Sequence, residues 1–321
     1  MTPRILVVGS LVMDLICSTP RFPQSGETVI GTTFRTAPGG KGANQAVQAA
    51  RLGSQVFMIG KVGDDDFGKQ IKHSLEDAGV DIQGIGTSAT SSTAIGNIQL
   101  EENVEGTANR ILVIPGANMD ISEDDIIPLQ ETIDSYDMVI LQLEIPMSIN
   151  VKVAKLAHEK GVPVMLNSAP SAPLPDELLK CLTYISPNEH EASDMTGLVV
   201  NDYASAKCAV QNLLNKGVEN VLITMGGQGA VFGNKEQFLS SPCVNYGHVV
   251  DPTAAGDSFV GAFCTAICLG DTPKQALLFA NHTASITVSR LGAQPSLPIL
   301  NEVVNFMQKN GHDVSRYIER I

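Results

Sequence analysis

DPTAAGDSFVGAF, residues 251–263, is the stretch that decides how this chain reads. One carboxylate, Asp257, follows three small residues, Ala254, Ala255 and Gly256. An apolar run comes next: Phe259, Val260, Ala262, Phe263, Ala266 and Ile267. This layout places Asp257 in the first turn of a buried helix. The N–H groups from Ala254 to Asp257 are expected to converge on an anion, because a helix start carries unpaired donors and partial positive charge. A carboxylate beside such a site can accept a proton from an attacking hydroxyl, the pairing that phosphoryl transfer needs. The blander reading is an acidic first-turn residue that merely stabilises its helix. Small residues before the Asp shift the balance, since bulky ones would block a close ligand. A low pKa is expected for Asp257, because the helix end favours the anion.

Working outward, short apolar runs alternate with helical stretches. Strands are expected at Ile5–Gly9, Val56–Gly60, Met138–Leu143, Pro163–Leu166, Leu182–Ser186 and Val221–Met225. Their near-continuous hydrophobicity predicts strands covered on both faces, as in a parallel sheet. Helices are expected at 43–52, 64–78, 147–160, 202–216, 256–269, 273–290 and 297–309. Gly53 is a C-terminal stop for the first, and Thr272-Pro273-Lys274-Gln275 is a capping box. The fold class is thus α/β, with a mostly parallel sheet flanked by helices. Segments 15–36 and 93–115 lack helical period and read as a small β appendage. Within the second, Thr93–Glu101 and Thr107–Ile114 flank a polar turn, Glu102–Gly106, as in a hairpin.

The 321 residues are 43% hydrophobic, enough for a large core, and form one expected domain, 1–321. A net charge of −13 argues against nucleic acid or an anionic membrane as partner. The six cysteines form no CxxC pair and the histidines show no metal spacing, which suits a reduced, cytoplasmic protein. Asp14 breaks the N-terminal apolar run, so a buried first strand explains it better than a signal segment. No transmembrane run is expected.

Further motifs carry donors and acceptors. GGKGANQA, 39–46, opens a helix but is neither a Walker A loop nor a dinucleotide fingerprint. Gly39, Gly40 and Gly42 would allow a ligand close, and Lys41 and Asn44 offer donors. A strained loop with Asn44 as a local cap is an equal reading. Asn188 and Glu191 share a helix face after a strand end, suited to a water-held Mg²⁺ or to plain helix capping. Thr224 with Gly226, Gly227 and Gly229 lines a pocket or makes a tight hairpin. Asp14 and Glu144 are read as carboxylates at strand C-termini, where α/β ligands bind.

Together, GGKGANQA, SGETV at 25–29, QLEIP at 142–146, SPNEHEA at 186–192 and DPTAAGDSF resemble the ribokinase/PfkB carbohydrate kinase family. The likeness runs over nearly the whole chain, and the GGKGANQA form is closer to ribokinases than to fructokinases or adenosine kinases. It implies a ribokinase-like doubly wound sheet with a small β-sheet lid, here 15–36 and 93–115. It implies ATP-dependent phosphorylation of the ribose 5-hydroxyl. Asp257 would be the base, with the amides of Ala254, Ala255, Gly256 and Asp257 as the anion hole. Asp14, Gly40, Lys41, Gly42, Asn44 and Glu144 would hold the sugar. Asn188 and Glu191 would lie near Mg²⁺, and Thr224, Gly226, Gly229 and Asn281 would line the ATP site. A K⁺ site would involve Asp251, Thr253, Thr287, Arg290, Gly292 and Ser296, and the lid would pair two subunits.

Three positions depart from the family pattern. Val12 stands where many members have a sugar-reading Asn. Val260 replaces a polar residue of some members, and Pro252 follows Asp251 where Thr is common. A 2-deoxyribose or nucleoside kinase is therefore a second reading. A sugar sensor is disfavoured by the intact Asp257, Asn188 and Glu191, and a dehydrogenase by the missing dinucleotide fingerprint.

Overall fold

Residues Arg4–Val8 form β1, and their side chains separate by parity. Ile5 and Val7 enter one apolar cluster, Leu6 and Val8 another on the opposite face. A strand with both faces buried has no polar side, so its sequence reads as a continuous apolar run. The computed structural model describes residues 2–103 and 106–320. After β1, the strands are β2 Val12–Thr19, β3 Thr33–Gly39, β4 Gln55–Gly63, β5 Val80–Ser88, β6 Ala94–Asn103 and β7 Gly106–Ile114. They continue as β8 Met138–Gln142, β9 Val164–Asn167, β10 Tyr184–Ile185, β11 Asn220–Thr224, β12 Ala230–Gly233 and β13 Phe238–Ser241.

Nine strands make the main sheet, in the order β13-β12-β11-β10-β9-β8-β1-β4-β5. Pairing is parallel from β11 to β5 and antiparallel at the β11-β12-β13 edge. The order β8-β1-β4 places β1 between two strands that follow it far along the chain, so the ligand edge lies at the C-terminal strand ends. Helices Lys41–Arg51, Ala255–Cys268 and Pro273–Thr287 supply residues to the cluster that holds Ile5. Helices Met147–Glu159 and Tyr203–Asn215 serve the other face. All six expected strands are present. The β5 edge strand and the β13 edge strand were not expected.

The four-stranded sheet, β3-β2-β6-β7, is the expected β appendage. It begins earlier than expected, at Val12, and β3 runs on to Gly39. This changes one reading: Asp14 is not at the end of a main-sheet strand but inside β2, on the small sheet. The middle of the expected hairpin turn, residues 104 and 105, lies outside the described residues.

The Thr272 capping box forms as read, with Pro273 at the first position. The last long helix starts at Leu300 rather than 297, because Gln294–Ser296 forms a separate tight turn. No helix among the described residues is long and apolar enough to cross a membrane.

Gly42 is where the Lys41–Arg51 helix meets β1. A Cβ there would lie 2.6 Å from Ser10 N and 2.7 Å from Gly9 C. Gly42→Ala is therefore expected to lower stability by about 1–3 kcal/mol, the range for forced overpacking. Gly247→Ala, whose added methyl meets nothing within 4 Å, should change it by no more than about 0.5 kcal/mol. Urea denaturation midpoints of the two variants check this.

Candidate active site

The Ala255–Cys268 helix begins at an unusual residue. Ala254 has φ 61°, the only non-glycine at positive φ among the described residues. Left-handed backbone costs an ordinary residue about 1–2 kcal/mol, and such strain gathers at functional sites. Ala255 N donates to Pro252 O at 3.2 Å. The expected arc of four free donors therefore loses Ala255. Gly256 and Asp257 stay in the first turn, where N–H groups have no intrahelical partner. A Cβ built on Gly256 meets nothing within 4 Å, so open space fronts these donors.

That space is a cleft of about 200 Å³, with Lys41, Asn188, Glu191 and Thr224 facing the 252–257 segment across it. Asp257 is 6% exposed. Asn44 Nδ2 donates to its Oδ2 at 2.8 Å and Gln45 Nε2 to its Oδ1 at 2.9 Å. Burial pushes its pKa up; Lys41, Asn44 and Gln45 pull it down without cancelling the rise, and Glu144 adds to it. The expectation of a low pKa is thus reversed. A helix terminus contributes up to about 2 kcal/mol, whereas full burial can shift a carboxyl by several pKa units.

Lys41 lies within electrostatic reach of Asp257, Glu144 and Glu191. Burial alone would lower its pKa, but the three carboxylates outweigh it and raise it. Glu144 is fixed by Ser10 Oγ at 2.5 Å and by Lys41 N at 3.1 Å. Asp14 stands between two glycines on neighbouring strands: a Cβ on Gly39 would sit 2.8 Å from its Oδ2, and one on Gly96 would collide with its Oδ1. Val12 shares that face, two residues away on β2, with Cγ1 3.9 Å from where a Gly96 Cβ would lie. Gly40 has φ 92° and Gly42 gives its N–H to Ser10 Oγ. Any added Cβ at Gly40 or Gly42 would strike backbone of residues 9–12. Packing against residues 9–12 therefore requires glycine at both positions.

On the opposite side, Asn188 and Glu191 make a capping box: Asn188 Oδ1 takes His190 N and Glu191 N, and Glu191 Oε2 takes Asn188 N at 2.9 Å. The capping reading holds, and the same two residues also line the cleft. Thr224 bridges to Asn188 at the end of β11. Gly226, Gly229 and Asn281 do not line this cleft. A Cβ on Gly229 would collide with Ser241 O. Asn281 spends its Nδ2 hydrogens on Ser241 and Pro242.

The two halves of the expected cation site do meet. Asp251 accepts from Thr253 N and Gly292 N, each at 2.9 Å, and these hydrogen bonds outweigh burial to lower its pKa. Thr287 Oγ1 pairs with Ser258 Oγ at 2.7 Å, and Ser296 Oγ with Ala293 O. The Arg290 guanidinium is committed to Glu302, which leaves its backbone alone for such a site. Among the described residues no cluster of three His, Cys, Asp or Glu could hold a metal ion.

Sequence reasoning missed Ser10, Gln45, Asn167 and Ser186. Asn167 and Ser186 line the cleft from strand ends. Their positions at β9 and just after β10 were the available signal.

Comparison with known proteins supplies the family. Residues 2–300 match the pfkB family carbohydrate kinase. The chain is 41% identical over 302 residues to a ribokinase of Bacillus subtilis, covering 94% of this chain and 98% of that one. It is 33% identical over 307 residues to a deoxyribokinase of Salmonella typhi, covering 95% and 99%. The structure of Arabidopsis thaliana ribokinase complexed with ribose and ATP superposes with a TM-score of 0.89 at 35% identity, covering 96% of this chain and 99% of that one.

Asp14 yields a pH test. Burial, then Glu144 and Asp257, push its pKa up to about 7 from 3.8. A folded pKa above the unfolded one means that the fold favours the protonated form. Its stabilising contribution is complete below about pH 4 and is lost as pH rises through about 7. Asp14→Asn is therefore expected to gain stability over the unmodified protein as pH rises from about 5 to 8. Paired thermal melts of the ligand-free proteins, at constant ionic strength, measure the difference.

Proposed function

The chain belongs to the pfkB family of carbohydrate kinases, and from that premise we propose that it phosphorylates the 5-hydroxyl of D-ribose with ATP, giving ribose 5-phosphate and ADP. The observation that carries this reading is Asp257. Its carboxylate is buried at a helix start, with the Asp14–Lys41–Glu144 group on one side and the Asn188–Glu191–Thr224 group on the other. Asp14 and Glu144 would accept hydrogen bonds from the sugar hydroxyls. Asp257 would take the proton of the attacking hydroxyl, and a raised pKa suits that role better than the low one expected. The first-turn N–H groups of Gly256 and Asp257 would face the transferred group.

Bound in the cleft, ATP would supply the phosphoryl group, and Mg²⁺ would neutralise its charge. Asn188 Oδ1 is occupied by the cap, while Glu191 keeps one oxygen for a hydrated cation. This donor set fits Mg²⁺ held mainly by water and phosphate. The Asp251–Gly292 junction would hold K⁺ through backbone carbonyls and stiffen the 252–257 turn. The small sheet would close over the sugar as a lid and exclude water. Its exposed Phe34, Leu112 and Val113 suit pairing with a second copy in a homodimer. Six free cysteines fit a cytoplasmic setting.

Val12 favours a second reading for the sugar. It is 5% exposed and apolar, beside Asp14. A hydroxyl facing it gains no partner, and a deoxy carbon there loses none.

An ADP-release assay over a sugar panel tests both readings. Asp257→Asn is expected to lower kcat by roughly 10²–10⁴, the range for a positioned acid–base group; near-normal turnover would remove Asp257 as the base. 2-Deoxyribose is expected to be a substrate, with kcat/KM within about 10²-fold of ribose, since an apolar contact discriminates no better. Val12→Asn should move the preference toward ribose. A protein that uses ribose well and ignores 2-deoxyribose would show that Val12 does not face the sugar.

A further inference from the structure

The buried amides behind Asp257 all point one way. Asn167 spends its Nδ2 on Ser186 O at 2.8 Å, so its Oδ1 faces Gln45. Gln45 thus has two acceptors before it, Asn167 Oδ1 at 3.1 Å and Asp257 Oδ1 at 2.9 Å, and must present its nitrogen to both. Its oxygen is then turned away and needs a donor. Gln142 Nε2 provides one at 2.8 Å. Gln142 is the last residue of β8, and Asn150 Nδ2 holds its main-chain oxygen at 2.7 Å. Both glutamines are fully buried.

Gln142 is costly to keep. Its Oε1 is buried without a hydrogen-bond partner, an arrangement that costs about 1–3 kcal/mol. A Cβ on Gly9 would collide with this oxygen, and one on Gly42 would lie 2.9 Å from it. Two glycines and an unpaired carbonyl are spent on an amide where an apolar side chain of equal size would pack more cheaply. Stability alone does not explain it; orientation of Gln45 does.

We infer that Gln45 and Gln142 are positioning residues for the reaction, a one-way amide chain that fixes the Asp257 carboxylate. The inference rests on the reading of Asp257 as base. Gln45 holds Oδ1 and Asn44 holds Oδ2, so the plane of the carboxylate is set from both sides. With Gln142 gone, the buried Gln45 oxygen loses its donor, so the amide shifts to seek another and weakens its hold on the Asp257 carboxylate. The charged groups facing Asp257 are Lys41 across the cleft, Glu144 after β8, Glu191 on the capping helix and Asp14 on β2. None of them changes in the test below.

The experiment is steady-state kinetics of Gln142→Met and Gln45→Met across pH, at saturating ribose and ATP. Saturation removes effects of Asp14 on sugar affinity from the profile. Expected for Gln142→Met is a kcat lower by about 10–10²-fold, as for a small misplacement of a reacting group. KM for both substrates should stay within about threefold, the melting temperature should not fall, and the acid limb of kcat should move up by about half a pH unit or more. Gln45→Met should act in the same direction and more strongly. If Gln142→Met does not fold, Gln142→Asn keeps an amide that is one methylene too short to reach Gln45, and the same profile is expected. A kcat within twofold of the unmodified protein, a limb that does not move or moves to lower pH, or a raised KM with unchanged kcat would overturn the inference. Asp257→Asn separates the two layers. If it turns over normally, the base assignment and the amide chain fall together. If it is inactive while Gln142→Met keeps the normal profile, the amide chain alone is wrong.

Discussion

An aspartate that is 6% exposed must be supplied with donors or remain protonated. This requirement organises the centre of the molecule. Asp257 sits at the start of a helix whose next nine residues are all buried, so water cannot serve it from behind. Asn44 and Gln45 reach it from another helix, and Lys41 lies across the cleft. Three further carboxylates, Asp14, Glu144 and Glu191, share the neighbourhood: Glu144 makes ionisation of Asp14 and Asp257 harder, and Asp257 that of Asp14 and Glu191. One lysine against four acids leaves a pocket with an excess of acidic groups, which suits the proposed entry of a hydrated cation with the substrate.

The Lys41–Arg51 helix connects these groups as a single rod. Lys41, Asn44, Gln45, Gln48 and Arg51 recur at three- and four-residue spacing, so they share one face. Gln48 accepts from Ser258 Oγ at 2.9 Å and donates to Pro298 O at 3.0 Å. Arg51 donates to Gln294 O and Leu297 O. Gly261 on the facing helix lets the two approach: a Cβ there would be 3.0 Å from Gln48 Cβ. A helix with so much buried polarity has little to gain from the hydrophobic effect on that face. Its amides find partners on β8, β9 and the two segments around Asp257 and Pro298, and this ties the strand ends to the helix layer.

Much of this was legible in the sequence. Parallel strands buried on both faces announce themselves as apolar runs, and Asp257 stood out because three small residues precede it. The edge strands were harder. β5 carries Asp81, Gln83 and Thr87 and alternates with solvent, so it lacks the run that marked β1. The amide chain left no local signature: Gln45 meets partners 97, 122 and 212 residues away. A glutamine inside a helix reads as a solvated face until the fold encloses it. Gly42 was read as room for a ligand, and its packing against Gly9 and Ser10, just after β1, was not legible from the motif. The glycines that do face polar function, Gly39 and Gly96, clear space for Asp14 on adjacent strands, which only the register of the small sheet reveals.

The two sheets divide the site between them. Val12 and Asp14 stand on the four-stranded sheet, whereas Asp257, Asn188 and Thr224 are carried by the nine-stranded body. On the proposed roles, Glu144 and Lys41 anchor the sugar from the body, while Val12 and Asp14 read it from β2. A change at Val12 or its cross-strand neighbours would then alter which pentose fits without touching the residues around the phosphoryl group. Substrate choice on this plan would be open to editing from one small sheet.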